Sequence, residues 1–239
     1  MNIIYEGKAK RLYSTDEPNE ILMEFKDDAT AFNGKKKAVF ENKGLINKRI
    51  TLILYRLLEK SGIKTHFVRD IDDTRCIVRK VEIIPLEVVV RNVAAGSLSK
   101  RTGLEEGTQL SEPMLEFYYK KDELGDPMLA PTHIRELKLA TAEEMDDIGK
   151  KSAVINSVLT EFFAKSGFRL VDFKLEFGRE EPERKNIILA DEISPDSCRI
   201  WDLDSGEILD KDRFRRDLGD VMESYQRILE GIGAHAENS

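Results

Sequence analysis

This 239-residue chain is predicted to fold as an α+β protein in two parts, and three observations carry that expectation. Short strand-like runs closed by turn-prone stretches crowd its first third around a single amphipathic helix. Longer helical periodicities mix with strands in the remainder. Between the two, near Val81 to Ile84, the character of the chain changes ahead of Pro85. The expected division is therefore 1–82 and 83–239.

In the first part Ile3 to Tyr13, Ile21 to Lys26, Phe67 to Ile71 and Cys76 to Val81 read as strands. The turn-prone Ser14-Thr15-Asp16-Glu17-Pro18-Asn19 and Asp72-Asp73-Thr74 separate them. Asp27 to Gly34 reads as a polar loop, and Lys35-Lys36-Lys37 after it as a solvated charge run. Leu45, Ile46, Ile50, Ile53, Leu54, Leu57 and Leu58 recur at helical spacing from about Lys43 to Lys60, and Gly62 stands where that helix should stop. In the second part the apolar run from Ile83 to Val90 reads as a buried strand ending in Arg91. Thr141-Ala142-Glu143-Glu144 has capping-box spacing and opens a helix with Met145, Ile148, Ile155, Leu159 and Phe162 near one face, ending by Gly167. A last helix takes its apolar face from Phe214, Leu218, Val221, Met222, Tyr225, Ile228 and Leu229. Gly231 and Gly233 mark its expected end, with a loose tail from His235.

Composition excludes several classes. Hydrophobic residues make up 41% and charged ones 35%, as in a soluble globular chain. No apolar run approaches the length of a membrane span, and the N-terminus has no secretory pattern, so a cytoplasmic location is expected. Cys76 and Cys198 stand far apart and without a second ligand pair, which argues against structural zinc or a disulfide framework. With 38 basic against 45 acidic residues the net charge is −7, unfavourable for a nucleic-acid partner, whereas a small anion needs only local positive charge.

The most informative stretch is Leu170-Val171-Asp172-Phe173-Lys174-Leu175-Glu176-Phe177-Gly178. Strict alternation puts Asp172, Lys174 and Glu176 on one strand face. A solvated edge alternates in the same way, so the period alone admits both a site and a surface. The run Ile187-Ile188-Leu189-Ala190 then returns the chain as a hairpin partner and delivers Asp191 and Glu192 to the same neighbourhood. Carboxylates beside an ammonium group suit Mg²⁺ carrying nucleotide phosphates, because magnesium takes one or two protein carboxylates and keeps several waters. Near the N-terminus, Gly7-Lys8-Ala9-Lys10 offers close backbone approach and two lysines on one strand face, either a phosphate cradle or an exposed basic strand. After the Ile83 run, Arg91, then Gly96-Ser97 and Lys100-Arg101, offer a guanidinium fork, a close backbone and a hydroxyl suited to a monoester phosphate. His66, His133 and His235 lack the context of a catalytic triad.

Two of these stretches, Ile83 through Ser97 and Leu170 through Gly178, closely resemble signatures of the SAICAR synthetase family. Glu6-Gly7-Lys8-Ala9-Lys10, Asp191-Glu192-Ile193-Ser194-Pro195-Asp196, Arg199 and Trp201-Asp202 match as well, and the resemblance runs from about Tyr5 to about Gly231. One departure is Asn33, where many relatives carry aspartate. The resemblance implies a two-domain fold distantly like protein kinases and ATP-grasp enzymes, with an N-terminal antiparallel sheet covering ATP and a larger α+β domain for substrate and metal. It implies a ligase of purine biosynthesis that uses ATP and Mg²⁺ to join L-aspartate to carboxyaminoimidazole ribonucleotide (CAIR), acting as a homodimer. It further implies that Gly7, Lys8, Ala9 and Lys10 hold ATP phosphates and that Arg79, Lys80, Val81 and Ile83 border the adenine. Glu176 and Asp191 are implied as metal ligands, and Asp172 and Lys174 as the groups at the CAIR carboxylate. Arg91, Ser97 and Arg199 are implied at the ribose phosphate, with Lys120 and Asp126 as further substrate contacts. A phosphotransferase with the same ATP site needs neither Arg91 nor Ser97, and a non-catalytic nucleotide-binding module has no need of the metal carboxylates.

Overall fold

The computed structural model describes residues 2–32, 34–183 and 185–237, so Asn33 lies outside the described residues. The first half builds a five-stranded antiparallel sheet. Its strands are β1 (Ile3–Glu6), β2 (Lys10–Ser14), β3 (Glu20–Phe25), β6 (Phe67–Asp70) and β7 (Arg75–Arg79), in the order β1-β2-β3-β7-β6. The single run expected from Ile3 to Tyr13 is thus a hairpin, closed where the Gly7 amide donates to the Lys10 carbonyl at 2.8 Å. Between β3 and β6 lie a small hairpin, β4 (Asp28–Ala31) with β5 (Lys36–Val39), and helix α1 (Lys43–Lys60). The hairpin replaces the expected polar loop. Its signal was masked because one strand carries the lysine run, whose charge reads as solvation rather than pairing.

The second sheet is built on two long antiparallel strands, β8 (Val81–Val93) and β10 (Phe168–Glu180). The free edge of β8 pairs with β9 (Gln109–Tyr119). That of β10 pairs with β12 (Cys198–Asp202) along its first half and β11 (Ile187–Ala190) along its second. Helices α2 (Ser97–Thr102), α3 (Pro131–Glu136), α4 (Ala142–Lys165), α5 (Asp212–Arg215) and α6 (Val221–Glu237) complete the chain. Ile84, Leu86, Val88 and Val90 of β8 face a core shared with Ile50 and Leu54 of α1, Ile155 and Leu159 of α4, and Tyr225 and Ile228 of α6. By alternation Glu87, Val89 and Arg91 face the other way. Helix α1, although in the first third of the chain, therefore belongs to the core beneath the second sheet. The first sheet keeps a separate small core of Met23, Phe25, Cys76 and Val78.

The capping box forms as expected, Thr141 Oγ1 accepting from the Glu144 amide at 3.2 Å and Glu144 Oε2 from the Thr141 amide at 2.8 Å. The last helix departs from expectation at both ends. Positive φ at Asp217, Gly219 and Asp220 breaks the chain, so Phe214 falls in α5 and Leu218 is exposed between helices. At the other end α6 runs through Gly231 and Gly233 to Glu237. Gly231 is there for close packing, since a Cβ would overlap the Phe168 ring.

Candidate active site

The cleft floor is the outward face of β8 and β10. Register pairs Arg91 with Asp172, Val89 with Lys174 and Glu87 with Glu176. The alternation seen in the sequence is real, but this is not a solvated edge: Asp172 is 4% exposed and Glu176 2%. Both edges of β10 are taken by neighbouring strands, and Arg91 and Arg199 cover Asp172 as Lys174 and Lys120 cover Glu176.

At one end Asp172 stands between two arginines. Arg91 Nη1 donates to Asp172 Oδ2 at 2.7 Å, and Arg199 Nη1 to the two Asp172 oxygens at 3.0 and 2.8 Å. Arg91 also bonds Glu116 Oε2 at 2.7 Å and Ser97 Oγ at 3.0 Å, while Arg199 Nε reaches Asp212 Oδ2 at 2.9 Å. The Arg199 guanidinium occupies the space a Cβ would need at Gly96, whose φ of +56° also favours glycine. Here the sequence-derived set Arg91, Ser97 and Arg199 comes together and lines a cavity of about 330 Å³, with Tyr118 and Arg215 on its walls.

At the other end the charges are carboxylates and lysines. Lys174 Nζ contacts Glu176 Oε1 at 2.7 Å, Glu87 Oε1 at 3.1 Å and Asp191 Oδ2 at 3.6 Å, and Lys120 pairs with Glu176 Oε2. Lys10 pairs with Asp191 and, at 2.8 Å, with Glu192. Burial alone would lower the Lys174 and Lys10 pKa values, but the surrounding carboxylates overcome it and hold both above the ordinary lysine range. Burial would raise Asp191, yet Lys10, Lys174 and Lys120 hold it well below the carboxylate range. These three groups stay charged at neutral pH, so they act by electrostatics rather than by exchanging protons.

Other expected residues fall elsewhere. Lys8 sits in the β1–β2 turn rather than on a strand face with Lys10, and pairs with Asp122 at 2.9 Å. Arg79 spends its guanidinium on the Thr65 and Phe67 carbonyls at 3.0 and 2.9 Å, and the Lys80 amide donates to Asn19. Val81 and Ile83 lie on β8 opposite Glu180 and Gly178. Asp126 closes its own loop, accepting from the Lys121 amide at 2.9 Å. His133 Nδ1 accepts from the Ala130 amide at 3.3 Å, at the start of α3.

Sequence reasoning missed Glu87, Glu116 and Tyr118, although the alternations Glu87-Val88-Val89-Val90-Arg91 and Glu116-Phe117-Tyr118 carried the signal. It also missed buried Lys43, which lies 2.7 Å from Asp196 while Asp196 Oδ1 accepts from the Tyr225 hydroxyl at 2.7 Å. No local pattern links residues so far apart in the chain.

The donors test the implied metal. Among the described residues no group of three or more His, Cys, Asp or Glu forms a cation cage. Glu176 and Asp191 instead flank Lys174, two hard oxygen donors next to ammonium groups. That set fits Mg²⁺ only in the form that shares its coordination with phosphate oxygens and water.

A family model described as SAICAR synthetase matches residues 3–232. The phosphoribosylaminoimidazole-succinocarboxamide synthase of Akkermansia muciniphila is 57% identical over 229 residues, covering 96% of this chain and 97% of its own length. That of Lysinibacillus sphaericus is 55% identical over 231 residues, covering 97% of each. Among solved structures, the synthase of Ehrlichia chaffeensis superposes with a TM-score of 0.95 at 46% identity, covering 98% of this chain and 99% of that one. A SAICAR synthetase in complex with ADP gives 0.92 at 50% identity, covering 95% and 96%.

Proposed function

The chain belongs to the SAICAR synthetase family, and from that premise we propose that its charged cleft is where the ligation takes place. The protein is an ATP-dependent carbon–nitrogen ligase that joins L-aspartate to CAIR, giving SAICAR, ADP and phosphate in de novo purine biosynthesis. The chemical problem is that a carboxylate does not accept an amine at neutral pH, because its oxygen leaves poorly. Transfer of the ATP γ-phosphoryl group to the CAIR carboxylate gives an acyl phosphate. The aspartate amine then forms the C–N bond as the carbonyl C–O bond to phosphate breaks.

The observation that carries the site assignment is the sorting of charge along one floor. Arginines stand at the Asp172 end and lysines with metal-suited carboxylates at the Glu176 end. Four residues of strand span roughly 13 Å, room for CAIR to lie with its phosphate at one end and its carboxylate at the other. In this reading Arg91, Ser97 and Arg199 take the ribose phosphate. Asp172, with both oxygens already bonded, positions the two arginines, and Lys174 faces the CAIR carboxylate. Lys10, with Lys8 above it, takes ATP phosphates, and the connection from Arg79 to Ile83 borders the base. The 1–82 part would cover the nucleotide and the 83–239 part would hold CAIR. Glu176 and Asp191 would hold Mg²⁺, which when bound neutralises charge on the phosphates.

No helix among the described residues is long and apolar enough to cross a membrane, and both cysteines are free and buried, in accord with a cytoplasmic enzyme. The edge strand β1, with Ile3, Ile4 and Tyr5 each more than half exposed, supports a homodimer, which sedimentation would test. The deciding assay measures ADP formation from ATP and Mg²⁺ with CAIR and aspartate added singly and together. A ligase needs both. ADP formed at full rate without aspartate would point to a phosphotransferase instead.

A further inference from the structure

We propose that a second cavity, outside the cleft, binds a nucleoside monophosphate, with Arg56 and Lys64 taking the phosphate and Phe67 and Val68 carrying the base. The cavity measures about 580 Å³, within the range of small-ligand sites. It shares no lining residue with the cavity on the β8–β10 floor. It stands instead at the β6 edge of the first sheet, walled by the last turns of α1, the loop 62–64 and Arg79 of β7.

The lining favours an anion. Arg56, Lys64 and Arg79 face a single carboxylate, Glu59, in a chain whose net charge is −7. Glu59 Oε1 is already engaged, accepting from the Thr65 hydroxyl at 2.6 Å. The negative end of α1 is masked as well, because the amides of Ser61, Gly62 and Ile63 take the carbonyls of Leu57, Leu58 and Glu59. Of the three cations, Arg79 is fixed by the Thr65 and Phe67 carbonyls and supplies standing charge. Arg56 is exposed and, among the described residues, has no carboxylate partner. Lys64 is 48% exposed, and its pair with Glu180 is a surface contact of little worth that a phosphate can replace. A guanidinium fork beside an ammonium group suits the terminal oxygens of a phosphate monoester. Half-buried Phe67 and Val68, with Ile63 buried beside them, add an apolar wall that inorganic phosphate alone would leave uncovered. A flat base covers it.

Photolabelling of the whole enzyme with 8-azido-AMP, followed by peptide mapping, tests the site. Label should appear at Phe67 or Val68. In the double variant Arg56→Ala, Lys64→Ala it should fall about tenfold or more, since charged hydrogen bonds to the phosphate are lost. Label in cleft peptides, and KM for ATP and CAIR measured without AMP, should stay within about twofold. Arg56→Ala alone removes no carboxylate contact among the described residues, so it carries the test if the double variant folds poorly. 8-Azidoadenosine, which lacks the phosphate, should label the same residues about tenfold more weakly. Absence of label at Phe67 and Val68, label there that survives both substitutions, or equal labelling by the nucleoside would each overturn the site.

Discussion

Glu176 joins Lys174 and Lys120 through its two oxygens while almost fully buried, and with Asp191 it is the carboxylate proposed above to share a metal with phosphates. Glu176→Gln keeps its shape and removes its charge. We expect turnover to fall roughly a hundredfold, because the ion's charge stabilisation is worth several kcal/mol. A cooperative melt should persist, since Lys174 keeps Glu87 and Asp191. Near-normal turnover at low Mg²⁺ would leave Glu176 as a partner for lysines and nothing more. A second buried carboxyl, Asp210, makes its own contribution to the pH dependence of stability. Burial first, then the charge of Asp212, pushes it up to about 7 against an ordinary 3.8, although it accepts from the Ile200 and Asp212 amides. Between those values the folded state holds a proton that the unfolded state has released. The contribution of Asp210 to stability is therefore full below about pH 4 and falls as pH rises to about 7, by at most about 4 kcal/mol. Asp210→Asn should flatten that slope in denaturant titrations at pH 5 and 8. Its lost amide contact adds only a pH-independent offset.

At the level of elements, the turn from β8 into α2 sets one arginine. Gly96 leaves its Cβ space to the Arg199 guanidinium, so Gly96→Ala should push Arg199 off Asp172 and raise KM for CAIR several-fold, with KM for ATP hardly moved. Equal changes in both constants would mean that the turn supports the whole cleft rather than its phosphate end. Helices α1 and α4 were legible because long amphipathic periods, a capping box and stop glycines all agreed. The strands β9 and β12 were not. Their neighbours supply the pattern: β9 is exposed over much of its length, and β12 is short and held between β10 and the 207–209 segment. The break between α5 and α6 was hidden for a related reason. Non-glycine residues at positive φ, Asp217 and Asp220, ended a run whose apolar spacing looked continuous.

For the whole molecule, ATP with Mg²⁺ should stabilise the enzyme by mass action. The expected rise in melting temperature is on the order of 5 to 10 °C at a hundredfold excess over Kd. EDTA should remove most of that rise and all turnover. It should leave the melting temperature of the ligand-free protein unchanged, because Glu176 and Asp191 already have lysine partners. An ATP-induced rise that survives EDTA undiminished would show that the nucleotide binds without the metal.

What the sequence determined by itself was the chemistry of the strands and which residues share a face. Alternation in 170–178 is a local property, fixed by the pleat, and it already set Asp172, Lys174 and Glu176 on one face. Only the tertiary structure decided that this face is buried and which charges neutralise which. It joined Asp172 to Arg199, Glu176 to Lys120, Lys43 to Asp196, and left Glu87 partly open. The reason is physical. Burial and ion pairing depend on strand register and on elements distant in the chain, and no local period encodes them.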